Sequence, residues 1–157
     1  MWFANKLPHL IWQTSDLVEN HRAILQWIHD YPSANLRPPI CLNVSQDDWP
    51  DSDFDAIYSA NTAHIMAWHE VQSMFRRVAS SLQANGLFCL YGPMKYAGEF
   101  TSESNRLFDL RLREQVAHRG IREFSAINQL ALEANLILLD DHAMPANNRL
   151  LIWQKIS

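Results

Sequence analysis

Glycine is scarce in this chain: there are four among 157 residues, and none before Gly86. Nearly half of the residues are hydrophobic, so the composition excludes a fibrous or disordered chain and indicates a globular one. No apolar run approaches the ~20 residues of a membrane-spanning helix. The amino end, MWFANKLPHL, lacks the long apolar core of a secretory signal. A cytoplasmic protein without a membrane partner is expected. Positive charge is not in surplus either: the net charge is -4 with the signs intermixed, which argues against a nucleic-acid surface. The one basic concentration, Arg106, Arg111, Arg113, Arg119 and Arg122, includes Asp109 and Glu114 and reads as a solvated helix face, with a phosphate or acidic-partner site as the alternative. Cys41 and Cys89 lie inside apolar runs and form no C-x-x-C pair, so both read as buried thiols. His64 and His69 lack metal-ligand spacing and no cysteine accompanies them; no metal site is expected.

What is present is an alternation of short apolar runs and helical patterns, of a length that suits one domain over 1–157. The reading centres on 54–68, FDAIYSANTAHIMAW. Phe54, Ala56, Ile57 and Tyr58 predict a short buried strand. Ser59, Ala60, Asn61 and Thr62 break it, and His64 and Trp68 lead into a helix. A buried strand that ends in polar residues before a helix is the usual ligand-facing edge of an open α/β sheet.

Upstream, 1–7 suggests the tail of a helix that stops at Pro8. A strand over 9–15 is followed by Asp16. Leu17, Ile24, Trp27, Ile28 and Tyr31 recur at helical spacing over 17–31. A turn rich in Pro and Asn covers 31–39, then a strand 40–44 and a polar loop 45–53. Downstream, Val71, Met74, Phe75, Val78, Ala79 and Leu82 form the apolar stripe of a helix over 70–84, with Asn85-Gly86 as its stop. A strand over 87–91 and a loop over 98–104 come next. Helices follow over 105–116, with Leu107, Phe108, Leu112 and Val116 on one side, and over 123–135. Strands 136–139 and 149–155 close the chain, joined by the loop DDHAMPANN. Strands separated by helices are expected to run parallel, and the closing pair antiparallel.

This order resembles the class I S-adenosylmethionine-dependent methyltransferases. LPHLIWQTSD, NVSQDDWP, DAIYSANTAHIMAW, LFCLYGPMKYAG and MPANN sharpen the resemblance to a small methyltransferase-like family, over nearly the whole chain. It implies an α/β fold: a Rossmann-like, mostly parallel sheet with a C-terminal antiparallel hairpin. It also implies S-adenosylmethionine as cofactor and a small-molecule acceptor substrate. In that superfamily the first strand ends in a glycine-rich loop, whose backbone approaches the cofactor because no side chain intervenes. This sequence lacks both strand and loop, so the expectation is an amino-terminally truncated sheet whose cofactor binding is weak or lost. The first strand is central there, and its absence leaves twice the ~4.8 Å strand spacing between its neighbours. The sheet must close up, be filled by residues 1–7, or borrow a strand from a second chain. A homo-oligomer or a rearranged sheet is expected.

The same resemblance places Asp16 where a carboxylate accepts hydrogen bonds from ribose hydroxyls; it equally suits a helix N-cap. Asn43 and Val44 fall at the adenine position, with Asn where relatives carry Asp. An amide still accepts one hydrogen bond from the adenine amino group, without the charge. Asp47 or Asp48 could compensate, and Trp49 could wall the adenine or anchor its loop. Asn61, His64 and Trp68 lie where the acceptor is positioned. His64 is the candidate general base, since imidazole titrates near neutral pH; the plainer alternative is a structural histidine. Tyr91, Lys95 and Tyr96 face the same edge, where Lys95 could balance an acidic substrate. Asn147 and Asn148 either reach over the site or build the hairpin turn. Two readings compete with the methyltransferase: a non-catalytic dimeric binding module, and a shortened form of an active protein.

Overall fold

The computed structural model describes residues 2–46, 48–50 and 53–156. The chain forms two compact units, Met1–Trp49 and Pro50–Ser157.

The first unit holds helix α1 (Trp2–Lys6), strand β1 (Trp12–Asp16), a 3-10 turn (Val18–Asn20), helix α2 (His21–Asp30) and strand β2 (Leu36–Cys41). Because α1 is helical, this segment supplies no strand, and the option that residues 1–7 fill the sheet is set aside. The Asn35 side-chain amide lies 3.1 Å from the carbonyls of Ala4 and Leu7 and 2.7 Å from that of Leu10, donating to all three and tying α1 to the approach of β2. β1 and β2 pair in parallel, as expected of strands joined through a helix. β2 begins four residues earlier than the sequence suggests and runs through Pro38 and Pro39. Proline bars only bonds through its own nitrogen. The register slips between Gln13 and Ser15 at this point, and the Gln13 side chain donates to the Pro38 carbonyl at 2.7 Å. Cys41, on this two-stranded sheet, is exposed and not buried.

The second unit holds β3 (Phe54–Ala60), α3 (Trp68–Ser81), β4 (Leu82–Gly92), β5 (Met94–Tyr96), β6 (Glu99–Phe100), α4 (Glu103–Gln115), β7 (Arg122–Glu123), α5 (Phe124–Glu133), β8 (Leu136–Met144) and β9 (Asn148–Lys155). Its main sheet has the order β3-β4-β9-β8; β3 and β4 are parallel, and β9 is antiparallel to both β4 and β8. A small sheet, β6-β5-β7, stands apart from it. The core is aromatic: Phe75 on α3 meets Phe88 and Trp153 edge-on at 5.2 and 5.6 Å, and those two rings stack at 5.7 Å. The Trp153 indole N–H donates to Asn128 at 3.0 Å, so its burial leaves no polar atom unsatisfied.

Several elements depart from the sequence reading. β3 is not a buried strand but the edge of its sheet, with Tyr58 42 % exposed. α3 stops at Ser81: fully buried Leu82 already belongs to β4, and Asn85-Gly86, with Asn85 at φ 64, bends that strand instead of capping the helix. The residues read as a loop over 98–104 include β6. On α4 Leu112 is buried, whereas Leu107 and Phe108 are largely exposed and the polar Asn105 and Asp109 point inward. Asp109 is satisfied there by the Ile121 backbone N–H at 2.6 Å and Arg113 at 2.7 Å. The closing strands extend far into DDHAMPANN and leave a turn at Pro145–Asn147, where Ala146 and Asn147 are left-handed. Cys89 is half-buried, and burial pushes its thiol pKa up. Among the described residues no helix is long and apolar enough to cross a membrane.

Candidate functional site at the ends of β3 and β4

Where β3 ends, Asn61 takes a left-handed conformation (φ 58) and donates its N–H to the Tyr91 carbonyl of β4 at 2.8 Å. Asparagine tolerates this geometry better than most residues. The Thr62 carbonyl then accepts from Ile65 and Met66, folding 62–66 into a tight turn. The Glu70 carboxylate accepts from the Ala67 N–H at 2.6 Å and closes the entry to α3. His64 is carried on this turn with only 6 % of its surface exposed.

Three neighbours fix His64. Its carbonyl accepts from Gly120 at 2.9 Å, and its ring meets Phe108 edge-on at 5.4 Å. Gly92 leaves room on the third side: a Cβ there would lie 3.7 Å from His64 Nδ1 and 3.9 Å from Asn61 Oδ1. The imidazole and the Asn61 amide therefore converge over the end of β4. Burial, and then the charges of Arg122 and Arg119, hold the His64 pKa below its ordinary value. The ring is neutral at physiological pH and able to accept a proton.

Arg122 braces the turn from the opposite side of the chain. It donates to the carbonyls of Ala63 at 2.9 Å, His118 at 3.2 Å and Met66, and its guanidinium lies 5.8 Å from the Trp68 ring. It is half-buried, not part of a solvated helix face as the sequence suggests. Neither Arg122 nor Phe108 is identifiable from sequence, because each reaches the turn from a distant segment.

The other expected residues are placed as follows. Trp68 opens α3 beside Arg122. The Tyr91 hydroxyl accepts from Asn148 at 3.0 Å, and Lys95 lies over the Phe100 ring at 5.3 Å. Tyr96 donates to Asp141 at 2.8 Å; burial, and then this bond, raise its phenol pKa. Asn147 builds the turn: its carbonyl accepts from Asn105 at 3.0 Å and its amide donates to Ser104 at 3.2 Å.

In the first unit, Asp16 Oδ1 accepts from the Leu17 N–H at 2.7 Å and the Asn20 amide at 2.8 Å. Asn43 Oδ1 is engaged by the N–H and hydroxyl of Ser45 at 3.2 and 3.1 Å. The Trp49 indole points back to the Val44 carbonyl at 3.4 Å, which anchors the loop. Asp48 is exposed; Asp47 lies outside the described residues, as do Asp51 and Ser52 of the same loop.

This is the fold of S-adenosylmethionine-dependent O-methyltransferases. Over 98 % of its length the chain superposes on 46 % of an O-methyltransferase family protein from Burkholderia thailandensis, with TM-score 0.85 and 17 % identity. The same coverage holds for an O-methyltransferase family 2 protein from Planctomyces limnophilus, in complex with apigenin, at TM-score 0.86 and 15 % identity. PigF with SAH matches 99 % of this chain and 46 % of its own, at TM-score 0.84 and 13 % identity. The chain thus spans less than half the length of these structures. Residues 1–155 match the family described as a protein of unknown function (DUF938), and the chain belongs to that family.

S-adenosylmethionine, the cofactor this fold implies, fits the residues present only in part. Asp16 Oδ2 carries no bond among the described residues and suits a ribose hydroxyl. The Asn43 oxygen, which would meet the adenine amino group, is already taken by Ser45. For the methionine end, these residues provide no glycine-lined backbone ahead of Gly86.

Proposed function

We propose that this chain is part of an S-adenosylmethionine-dependent methyltransferase acting on a small molecule. The superposition of nearly the whole chain on O-methyltransferases carries this reading. His64 is its general base, buried, neutral and aimed with Asn61 over the end of β4. On the second unit Trp68, Tyr91 and Lys95 are the acceptor-side candidates of this reading; on the first, Asp16 is its candidate for the ribose. Cofactor affinity of this chain by itself is weak in this reading, because the adenine acceptor Asn43 is already engaged by Ser45. Rate then comes mainly from holding donor and acceptor in line.

Calorimetric titration with S-adenosylmethionine and S-adenosylhomocysteine tests it. Saturable binding of both, each displacing the other, supports the reading. Absence of binding favours the second one: a non-catalytic module that works as a homo-oligomer. The observation behind that alternative is the apolar surface left on the first unit, where Ile11 and Val18 are each 66 % and Trp27 57 % exposed.

A further inference from the structure

We infer that the surface beside His64 is a subsite for a carboxylate on the acceptor molecule, received by Arg119; this rests on the methyl-transfer reading. The backbone holds Arg119 in place: its N–H donates to the Val116 carbonyl at 3.0 Å, and the next residue, Gly120, donates to the His64 carbonyl at 2.9 Å. Arg119 is thus tethered one residue away from the contact that fixes the histidine. Its Nε is buried, yet it has no hydrogen-bond partner among the described residues.

The neighbouring groups explain why. Arg122 is occupied by three carbonyls. Arg113 is occupied by Asp109 Oδ2, and Asp109 Oδ1 by the Ile121 N–H. Each Asp109 oxygen thus already accepts a bond from elsewhere, no bond runs from Asp109 to Arg119 among the described residues, and the third guanidinium is left with an unanswered donor. A buried charged donor without an acceptor is strongly unfavourable, which makes it a place where a ligand group gains most. Arg119 also contributes to the low pKa of His64, which puts its charge near that ring. A guanidinium presents parallel N–H groups that match the two oxygens of a carboxylate. A small hydroxy- or amino-carboxylic acid would place its acid group on Arg119 and its nucleophilic group toward His64.

Benzoate titrated into the isotope-labelled chain, read by NMR at the Arg119 Nε–H and the His64 ring, tests the assignment. Saturable shifts of both are expected. Arg119→Met is expected to weaken benzoate about tenfold or more, while Arg106→Met, whose guanidinium sits on Glu103 at the surface, leaves it unchanged. No saturable shift of the wild-type Arg119 resonance up to about 50 mM benzoate, or undiminished binding by Arg119→Met, overturns the subsite. A response to inorganic phosphate without one to benzoate overturns the carboxylate class. The titration needs no S-adenosylmethionine, so a chain that fails the calorimetric test still answers this one.

Discussion

Replacing Arg122 by alanine removes three hydrogen bonds to backbone carbonyls at once and leaves those of Ala63 and Met66 without their donor. Hydrogen bonds to a charged donor are the stronger kind, so Arg122→Ala is expected to lower unfolding free energy by about 3 kcal/mol. Urea denaturation measures it, and Arg122→Lys recovers part of the loss. Gly120 is constrained by close approach: a Cβ there would lie 2.5 Å from Arg113 Nη2 and 2.9 Å from Asp109 Oδ1. Gly120→Ala must push that ion pair apart, at an expected cost of about 2 kcal/mol by the same assay. For His64 the pH dependence has a definite sign. Burial and the charges of Arg122 and Arg119 lower its folded-state pKa, whereas the unfolded chain titrates near ~6.5. The stability owed to the neutral ring is therefore complete above that pH, and is lost as pH falls through the folded-state value. His64→Gln is expected to flatten the decline of stability between about pH 7 and pH 5; parallel wild-type and variant profiles would refute it.

At the scale of elements, the β8–β9 hairpin is held by side chains on its strands as much as by its turn. Arg149 donates to Asp141 Oδ1 at 2.7 Å and to the Asp141 carbonyl at 2.9 Å, while Tyr96 of β5 donates to Oδ2 and stacks on Phe124. Asp141→Asn removes the charge that both donors share and is expected to cost about 2 kcal/mol, with the loss showing first as faster amide exchange along β8. The aspartates of this hairpin read as loop residues because pairing across strands has no local signature. α3 was legible because its stripe of Val71, Met74, Phe75 and Val78 repeats at helical spacing and is buried as a unit. The parallel β1–β2 and β3–β4 pairings and the antiparallel β8–β9 pairing were legible from the connections, but the main sheet is mixed and not mostly parallel, because β9 also runs antiparallel to β4. β2 was not legible, since Pro38 and Pro39 look like a turn until an edge strand and a register slip accommodate them. The inward face of α4 was not either, because Asp109 is made buriable by Ile121, twelve residues on. The same divide runs through the site. Asn61 and His64 follow from a strand ending in polar residues, whereas Arg122 acts on Ala63 from 59 positions away.

For the whole molecule, the question is what so much open apolar surface does. β1 and β2 form a two-stranded sheet, and pairs of strands are marginal in water without further packing. On the first unit α2 presents Trp27 and Tyr31, each more than half exposed, with their rings stacked at 5.7 Å. On the second, β3 is an edge strand whose only charge is Asp55 and whose Tyr58 is exposed, so little guards it against pairing with another chain. Apolar patches of this kind mark interaction surfaces, and a second copy of the chain is always available as partner. Self-association is therefore the expected outcome. Sedimentation velocity should show a concentration-dependent dimer, and Trp27→Glu, which places a charge on the apolar side of α2, should shift it toward monomer without lowering the unfolding midpoint. A chain that stays monomeric at about 100 µM, where even weak interfaces associate, would mean that these surfaces are stable in water alone. The argument for a shared sheet would then fail, while the proposal for His64, which needs no second copy, would be unaffected.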